Sequence, residues 1–249
     1  MPATPAWPPR SAPRLYVEAD LAAGAAVPID GNAAHYLVSV MRVKDGDAVL
    51  LFNGRDGEWA ARASAIRKRD LVLECAEQTK PLEPVPDFWL CAAPIKKARI
   101  DLVAEKACEL GVAKLQPVLT SRAVVDKLNL GRLRTHMIEA AEQCGRTAVP
   151  AITEIMKLDA LLKSWPQDRH LFFADEMGGD AMAETFATYK GPAALLIGPE
   201  GGFTDQEREA VRGHPASVAI SLGPRILRAE TAALAATACW MATNGDWQE

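Results

Sequence analysis

Leu195-Leu196-Ile197-Gly198-Pro199-Glu200-Gly201-Gly202-Phe203-Thr204 decides how the second half of this chain is read. An apolar run ends in a glycine-rich turn, and Thr204-Asp205-Gln206-Glu207 follows. That is the form of strand, loop and capped helix, since a Thr with a Glu three residues later makes a capping box. Gly198, Gly201 and Gly202 let backbone amides approach a ligand closely, and Pro199 stiffens the turn. In an open α/β sheet, ligands bind beyond the carboxyl ends of the strands, where this loop should lie. The plainer alternative is a tight connection whose glycines serve geometry alone. The loop is not G-x-G-x-x-G, and no Lys-Ser or Lys-Thr follows its glycines, so it is neither a dinucleotide fingerprint nor a P-loop. Glu200 would repel phosphates. A nucleoside-type ligand without a pyrophosphate suits the loop better.

A second strand-to-glycine passage follows at Ser221-Leu222-Gly223-Pro224-Arg225-Ile226-Leu227-Arg228-Ala229-Glu230-Thr231-Ala232. Arg225, Arg228 and Glu230 fall within six residues at the expected start of a helix. A guanidinium there can hold a phosphate or stabilise an anion forming on a base. Equally, Arg228 and Glu230 can form an ordinary surface ion pair near a helix N-terminus. Two Gly-Pro loops, each closing a sheet strand, make coincidence less attractive.

Outward from these loops, buried strands alternate with helices. Strands are expected at 88–93, 115–119, 171–174, 193–197 and 218–222. Helices are expected over 95–111, near 130–144, from Thr204, and over about 230–241. Such alternation predicts an α/β domain with a mostly parallel sheet covered on both faces. Residues 14–79 read differently. Short strand-like runs at 14–18, 48–52, 58–62 and 71–75 are separated by turn chemistry at Lys44-Asp45-Gly46-Asp47 and Asn53-Gly54-Arg55-Asp56-Gly57. A small β-barrel with one short helix near His35 to Met41 is expected. Pro81, Pro84 and Pro86 cannot continue a helix or a central strand, which places a linker there. The predicted organisation is a flexible Pro/Ala-rich tail at 1–13, a barrel at 14–80, a linker at 81–86 and the α/β domain at 87–249.

Composition narrows the class. The chain has 249 residues, 49% hydrophobic and 24% charged, which is ordinary for a globular protein with a large core. No stretch approaches a membrane span and Met1 to Pro13 has no apolar signal core, so a cytoplasmic protein is expected. The net charge is −4, and the first 80 residues balance ten basic against ten acidic side chains. Any RNA binding must therefore come from local basic patches. Candidates are Lys96-Lys97-Ala98-Arg99, Arg67-Lys68-Arg69, and Arg42 with Lys44. Each alone reads equally as a solvated face. His35 can stack on RNA or serve structure. Five scattered cysteines without a CxxC pair fit buried free thiols better than disulfides or zinc, and no HExxH is present. Cys144 has no matched histidine base nearby in sequence, so a thiol nucleophile is not expected.

Several of these stretches resemble the ribosomal RNA small subunit methyltransferase E family, the 16S rRNA uracil-N3 methyltransferases of the SPOUT superfamily. Leu196–Phe203 and Leu222–Ala232 resemble its two cofactor loops. Lys106-Ala-Cys-Glu-Leu-Gly-Val112, Ser121-Arg122, and Glu139–Gln143 with Arg146 and Pro150 resemble further family motifs. His35–Arg42 with Gly46-Asp47 resembles its PUA-like RNA-binding domain. The resemblance runs from about Arg14 to Trp240. It implies S-adenosyl-L-methionine as methyl donor, N3 of a uridine in the small ribosomal subunit as acceptor, a C-terminal trefoil knot, and a homodimer without metal or membrane. The implied donor site comprises Leu196, Ile197, Gly198, Pro199, Glu200, Gly201, Gly202, Ser221, Leu222, Gly223, Ile226 and Leu227. The implied RNA contacts are Arg14, His35, Arg42, Lys96, Lys97 and Arg122. Transfer to N3 leaves negative charge on the uracil ring, which Arg228 or, less favourably, Arg225 could stabilise. Glu230 could orient that arginine or act as base. Three other readings stay open: a SPOUT enzyme acting on another RNA such as tRNA, a non-catalytic RNA-binding assembly factor, and a nucleotide-dependent metabolic enzyme.

Overall fold

A computed structural model describes residues 7–248, which form two compact units. The first comprises the chain up to Pro84 together with Ala141–Ala148; the second comprises Val85–Ala140 and the chain from Val149.

In the first unit, β1 (Arg14–Tyr16), β2 (Ala26–Asp30), β3 (Ala48–Phe52), β4 (Glu58–Ser64) and β5 (Asp70–Lys80) form one sheet in the order β1-β3-β4-β5-β2. β1 runs parallel to β3, and the other pairings are antiparallel. The period-two pattern of β2 buries Val27 and Ile29 and exposes the residues between them. These side chains join Leu51, Ala61, Leu71 and Leu73 in one core. A short helix, α1 (Gly31–His35), continues as a π-helical turn over Tyr36–Val40 and buries Ala34 and Leu37. Of the expected tail, residues 1–6 lie outside the described residues. Residues 7–13 pack on the sheet: the Arg62 guanidinium lies 3.9 Å over the Trp7 ring, and Leu50 N–H donates to the Pro13 carbonyl at 2.8 Å.

The second unit is built on a sheet whose pairings are all parallel. Its strands are β6 (Phe88–Ala92), β7 (Lys114–Leu119), β8 (Ala151–Ile152), β9 (Met156–Lys157), β10 (His170–Ala174), β11 (Asp180–Ala181), β12 (Ala193–Ile197) and β13 (Ser217–Ser221). Their order is β11-β13-β10-β12-β6-β7-β8, with β9 beside β7. All five residues of β12 are buried, as a central parallel strand covered on both faces requires. Alternation sends neighbouring side chains to opposite layers. Leu171 and Phe173 of β10 pack with Leu161, Trp165 and Val211 beneath α4 (Leu158–Lys163) and α6 (Asp205–Arg212). Phe172 meets Phe186 of α5 (Met182–Thr188) edge-on, and Phe88 stacks on Trp240 of α7 (Ala229–Asn244). α2 (Lys97–Glu109) packs against α7, and α3 (Leu130–Cys144) follows β7 in sequence. Strands β2, β8, β9 and β11 and helices α4 and α5 are additions to the sequence reading.

Candidate active site

Ala174, Ile197 and Ser221 are the last residues of β10, β12 and β13, three adjacent strands. Beyond those carboxyl ends lies a cavity of about 620 Å³. That size suits a nucleoside-sized ligand. The loop after β12 contributes Ile197, Gly198, Pro199, Glu200 and Gly202 to its wall, and the loop after β13 contributes Ser221, Leu222, Gly223, Ile226 and Leu227. Arg225 and Arg228 line it as well. Both glycine-rich loops quoted above therefore meet at one cavity. Leu196 lies one residue deeper, fully buried in the core, and Gly201 sits outside the lining.

The first loop is shaped by packing. A Cβ on Gly198 would lie 2.6 Å from the ring of Phe203, whose side chain folds back into the core. Gly202 has φ +65°, and a Cβ there would lie 2.5 Å from Glu176 Oε1. Arg122 braces the same loop, its Nη1 donating to the carbonyls of Gly201 and Phe203 at 3.1 Å each. The helix that follows is fixed by the expected capping box between Thr204 and Glu207. Glu207 also accepts from Ser121 N–H at 2.7 Å, tying the turn after β7 to α6. Burial pushes the Glu207 carboxyl up, but the hydrogen bonds from Thr204 and Ser121 outweigh it and hold the group below its ordinary value.

A third wall comes from the turn after β10, which sequence reasoning did not single out. Asp175 has a side chain only 1% exposed, and it accepts from Arg208 Nε at 3.1 Å, Arg212 Nε at 2.8 Å and Met177 N–H at 2.9 Å. Arg212 also holds the Gly178 carbonyl at 2.7 Å. The charges of Asp175 are thus satisfied within the wall, which keeps Glu176 and Gly178 in place.

Arg225 and Arg228 have no ion-pair partner among the described residues, and both are exposed at the cavity. Arg228 is the N-cap of α7, so the positive end of the helix dipole adds to its own charge. Glu230 does not pair with Arg228. It lies outside the cavity lining, where its Oε1 is 3.4 Å from Arg99 Nε. Arg99, from the first turn of α2, does line the cavity and also reaches Glu200 at 3.3 Å. Sequence reasoning met Arg99 only as the end of a basic cluster; no spacing rule links it to residues 101 and 131 positions away.

The expected RNA contacts divide. His35 and Arg42 are exposed on the first unit beside exposed Tyr36, Val40 and Met41, and Arg42 has φ +57°. Lys96 and Lys97 are exposed at the head of α2. Arg14 is corrected. Its guanidinium donates to Glu58 at 2.7 Å, to the carbonyls of Glu142 and Arg146 at 3.0 and 2.7 Å, and to the Ala141 carbonyl. Its side chain is 11% exposed, so it ties the first unit together and is unavailable to a phosphate. Three cysteines are buried as expected, whereas Cys144 is exposed and Cys239 half-buried.

A family model for the RNA methyltransferase domain matches residues 81–241, and one for the RNA methyltransferase PUA domain matches residues 29–74. The ribosomal RNA small subunit methyltransferase E of Rickettsia conorii is 32% identical over 90% of this chain and 93% of its own length. The chain belongs to the ribosomal RNA small subunit methyltransferase E family. A second member, from Bacillus subtilis, is 30% identical over 83% of this chain and 86% of its own. Among solved structures, the member of this family from Neisseria gonorrhoeae bound to S-adenosyl methionine has a TM-score of 0.82 at 28% identity, covering 93% of this chain and 97% of that one. A Legionella pneumophila methyltransferase with bound SAM has a TM-score of 0.84 at 29% identity, covering 94% and 99%. Among the described residues no helix is long and apolar enough to cross a membrane, and no group of three His, Cys, Asp or Glu could hold a metal.

Proposed function

We propose that this chain methylates N3 of a uridine in the 16S rRNA of the small ribosomal subunit, with S-adenosyl-L-methionine as donor. The observation that carries the proposal is the convergence of both glycine-rich loops, Arg225 and Arg228 on one cavity. Relatives that carry this fold with the donor bound support it. The residues fit the donor. The volume suits it, Gly198 and Gly202 keep the loop free of side chains, and Leu222, Ile226 and Leu227 offer apolar wall.

The donor supplies an activated methyl group. The chain's own work is orientation and charge. The two loops hold the reacting groups in line, which accounts for much of the rate. Arg228 stabilises the negative charge that develops on the uracil once N3 has lost its proton, and Arg225 stands second to it. Glu230 acts through arginine rather than as base, since it lies outside the lining and contacts Arg99. The first unit is read as a PUA-like barrel that contacts RNA through His35 and Arg42, with Lys96 and Lys97 as further phosphate contacts. A C-terminal trefoil knot belongs to the same reading. A homodimer working in the cytoplasm completes the reading.

Labelled donor offered to undermethylated small subunits, naked 16S rRNA and bulk tRNA tests it, with the product nucleoside identified by mass spectrometry. N3-methyluridine in the small-subunit RNA is expected. Label in tRNA alone would overturn the substrate. Arg228→Ala should lower the transfer rate by about 100-fold or more while donor binding persists, a loss typical of one oxyanion-type contact. An unchanged rate removes Arg228 from the mechanism.

A further inference from the structure

Arg99 sits between two carboxylates that the sequence places far apart. Its Nη1 is 3.3 Å from Glu200 in the loop after β12, and its Nε is 3.4 Å from Glu230 in the first turn of α7. It is itself anchored on a third connection, the β6–α2 turn, where Arg99 N–H donates to the Lys96 carbonyl at 2.9 Å. The backbone beneath is joined as well, since Ala93 N–H donates to the Ile197 carbonyl at 2.9 Å. Glu230 Oε2 is fully buried and accepts no hydrogen bond. The contact with Arg99 through Oε1 is the ion pair that this carboxylate makes.

We propose that Arg99 is a positioning residue for the methyl transfer: by bridging Glu200 and Glu230 it holds the two cavity loops at a fixed separation. The inference rests on the reading of the cavity as the donor site. Without Arg99, Glu230 loses this ion pair and Glu200 faces the cavity as a bare negative charge. The first turn of α7, which carries Arg228 and Ala229 into the lining, is then released. The consequence falls on both binding and rate, because the same two loops grip the donor and present Arg228. A bridge between partly exposed groups contributes little to overall stability, so its effect lies in geometry.

The test measures S-adenosylmethionine affinity by calorimetry, single-turnover transfer at saturating donor, and thermal unfolding, on full-length protein. The variants are Arg99→Ala, Arg99→Lys, Glu230→Gln and Arg99→Ala with Glu230→Gln. Arg99→Ala is expected to weaken donor binding about tenfold and to slow the saturated step by about tenfold, with a small change in Tm. Lys, a single point charge without the planar fork, restores only part. The double variant is expected to be no worse than Arg99→Ala, because both substitutions break one bridge. Wild-type affinity and wild-type single-turnover rate in Arg99→Ala would overturn the proposal, as would losses that simply multiply in the double variant. A wild-type protein that binds no donor overturns the donor-site reading, and the proposal with it, and is told apart by that first titration.

Discussion

A methyl group at Gly198 has nowhere to go, because a Cβ there would press 2.6 Å from the Phe203 ring, which is itself wedged into the core at 4% exposure. Overpacking of this kind costs about 1–3 kcal/mol. Gly198→Ala is therefore expected to lower the unfolding free energy by that amount, read from urea denaturation, and to weaken donor binding. Adding Phe203→Leu should recover part of the stability, and no recovery would show that the clash is not with that ring. Thiol chemistry is a second residue-scale consequence. Burial pushes the Cys91 thiol up to about 12, with Lys114 and Arg169 pulling weakly the other way. Burial raises Cys75 and Cys239 too. Cys144 is exposed. Native protein titrated with a thiol reagent near pH 8 should be labelled first at Cys144, and at Cys91 only on unfolding, since the thiolate is the reactive form. Fast labelling of Cys91 would contradict its burial.

At the scale of elements, α6 depends on its cap. Thr204→Ala should cost about 1 kcal/mol, read by chemical denaturation. The Glu207 carboxyl is held below its ordinary value of 4.5 in the folded state, so its contribution is present above that value and lost as pH falls through the folded value. The stability gap between wild type and Glu207→Gln should therefore close as pH drops from about 7 to below about 4. A gap that stays constant would show that the charge of Glu207 does nothing for the fold. Capping was legible because Thr204 and Glu207 stand three apart, a spacing that geometry dictates. The long apolar runs at Phe88–Ala92, His170–Ala174 and Ala193–Ile197 were legible for the same kind of reason. The two-residue strands Ala151–Ile152, Met156–Lys157 and Asp180–Ala181 carry too few side chains to show any period. Helices Leu158–Lys163 and Met182–Thr188 have six and seven residues, fewer than two full turns, and leave the same gap. The cavity's glycine loops could be read locally. The wall built by Asp175, Arg208 and Arg212 could not, because it is an arrangement of charges brought together by β10 and α6.

For the molecule as a whole, the informative residue is Arg14. It meets chain 127 to 132 residues away, a distance over which no pattern in the sequence speaks. Its partner Glu58 is 2% exposed and keeps Thr79 and Lys80 when Arg14 is removed. Arg14→Met should cost about 3 kcal/mol, the low end for breaking a buried pair, and should leave donor affinity intact. A loss below about 0.5 kcal/mol would make Arg14 an ordinary surface cation. Glu83 adds to the same seam, accepting from Arg146 Nε at 2.5 Å and from Thr147 N–H at 3.2 Å. The first compact unit is thus assembled from an N-terminal stretch and from Ala141–Ala148. On a translating ribosome those two pieces do not emerge together. About sixty further residues must be synthesised after Pro84 before the second piece exists. At roughly 5–20 residues per second, that is a wait of some 3–12 seconds. During it the strands of the first sheet are made but Arg14 lacks its later partners on Ala141, Glu142 and Arg146, and the nascent chain is open to chaperones in that interval.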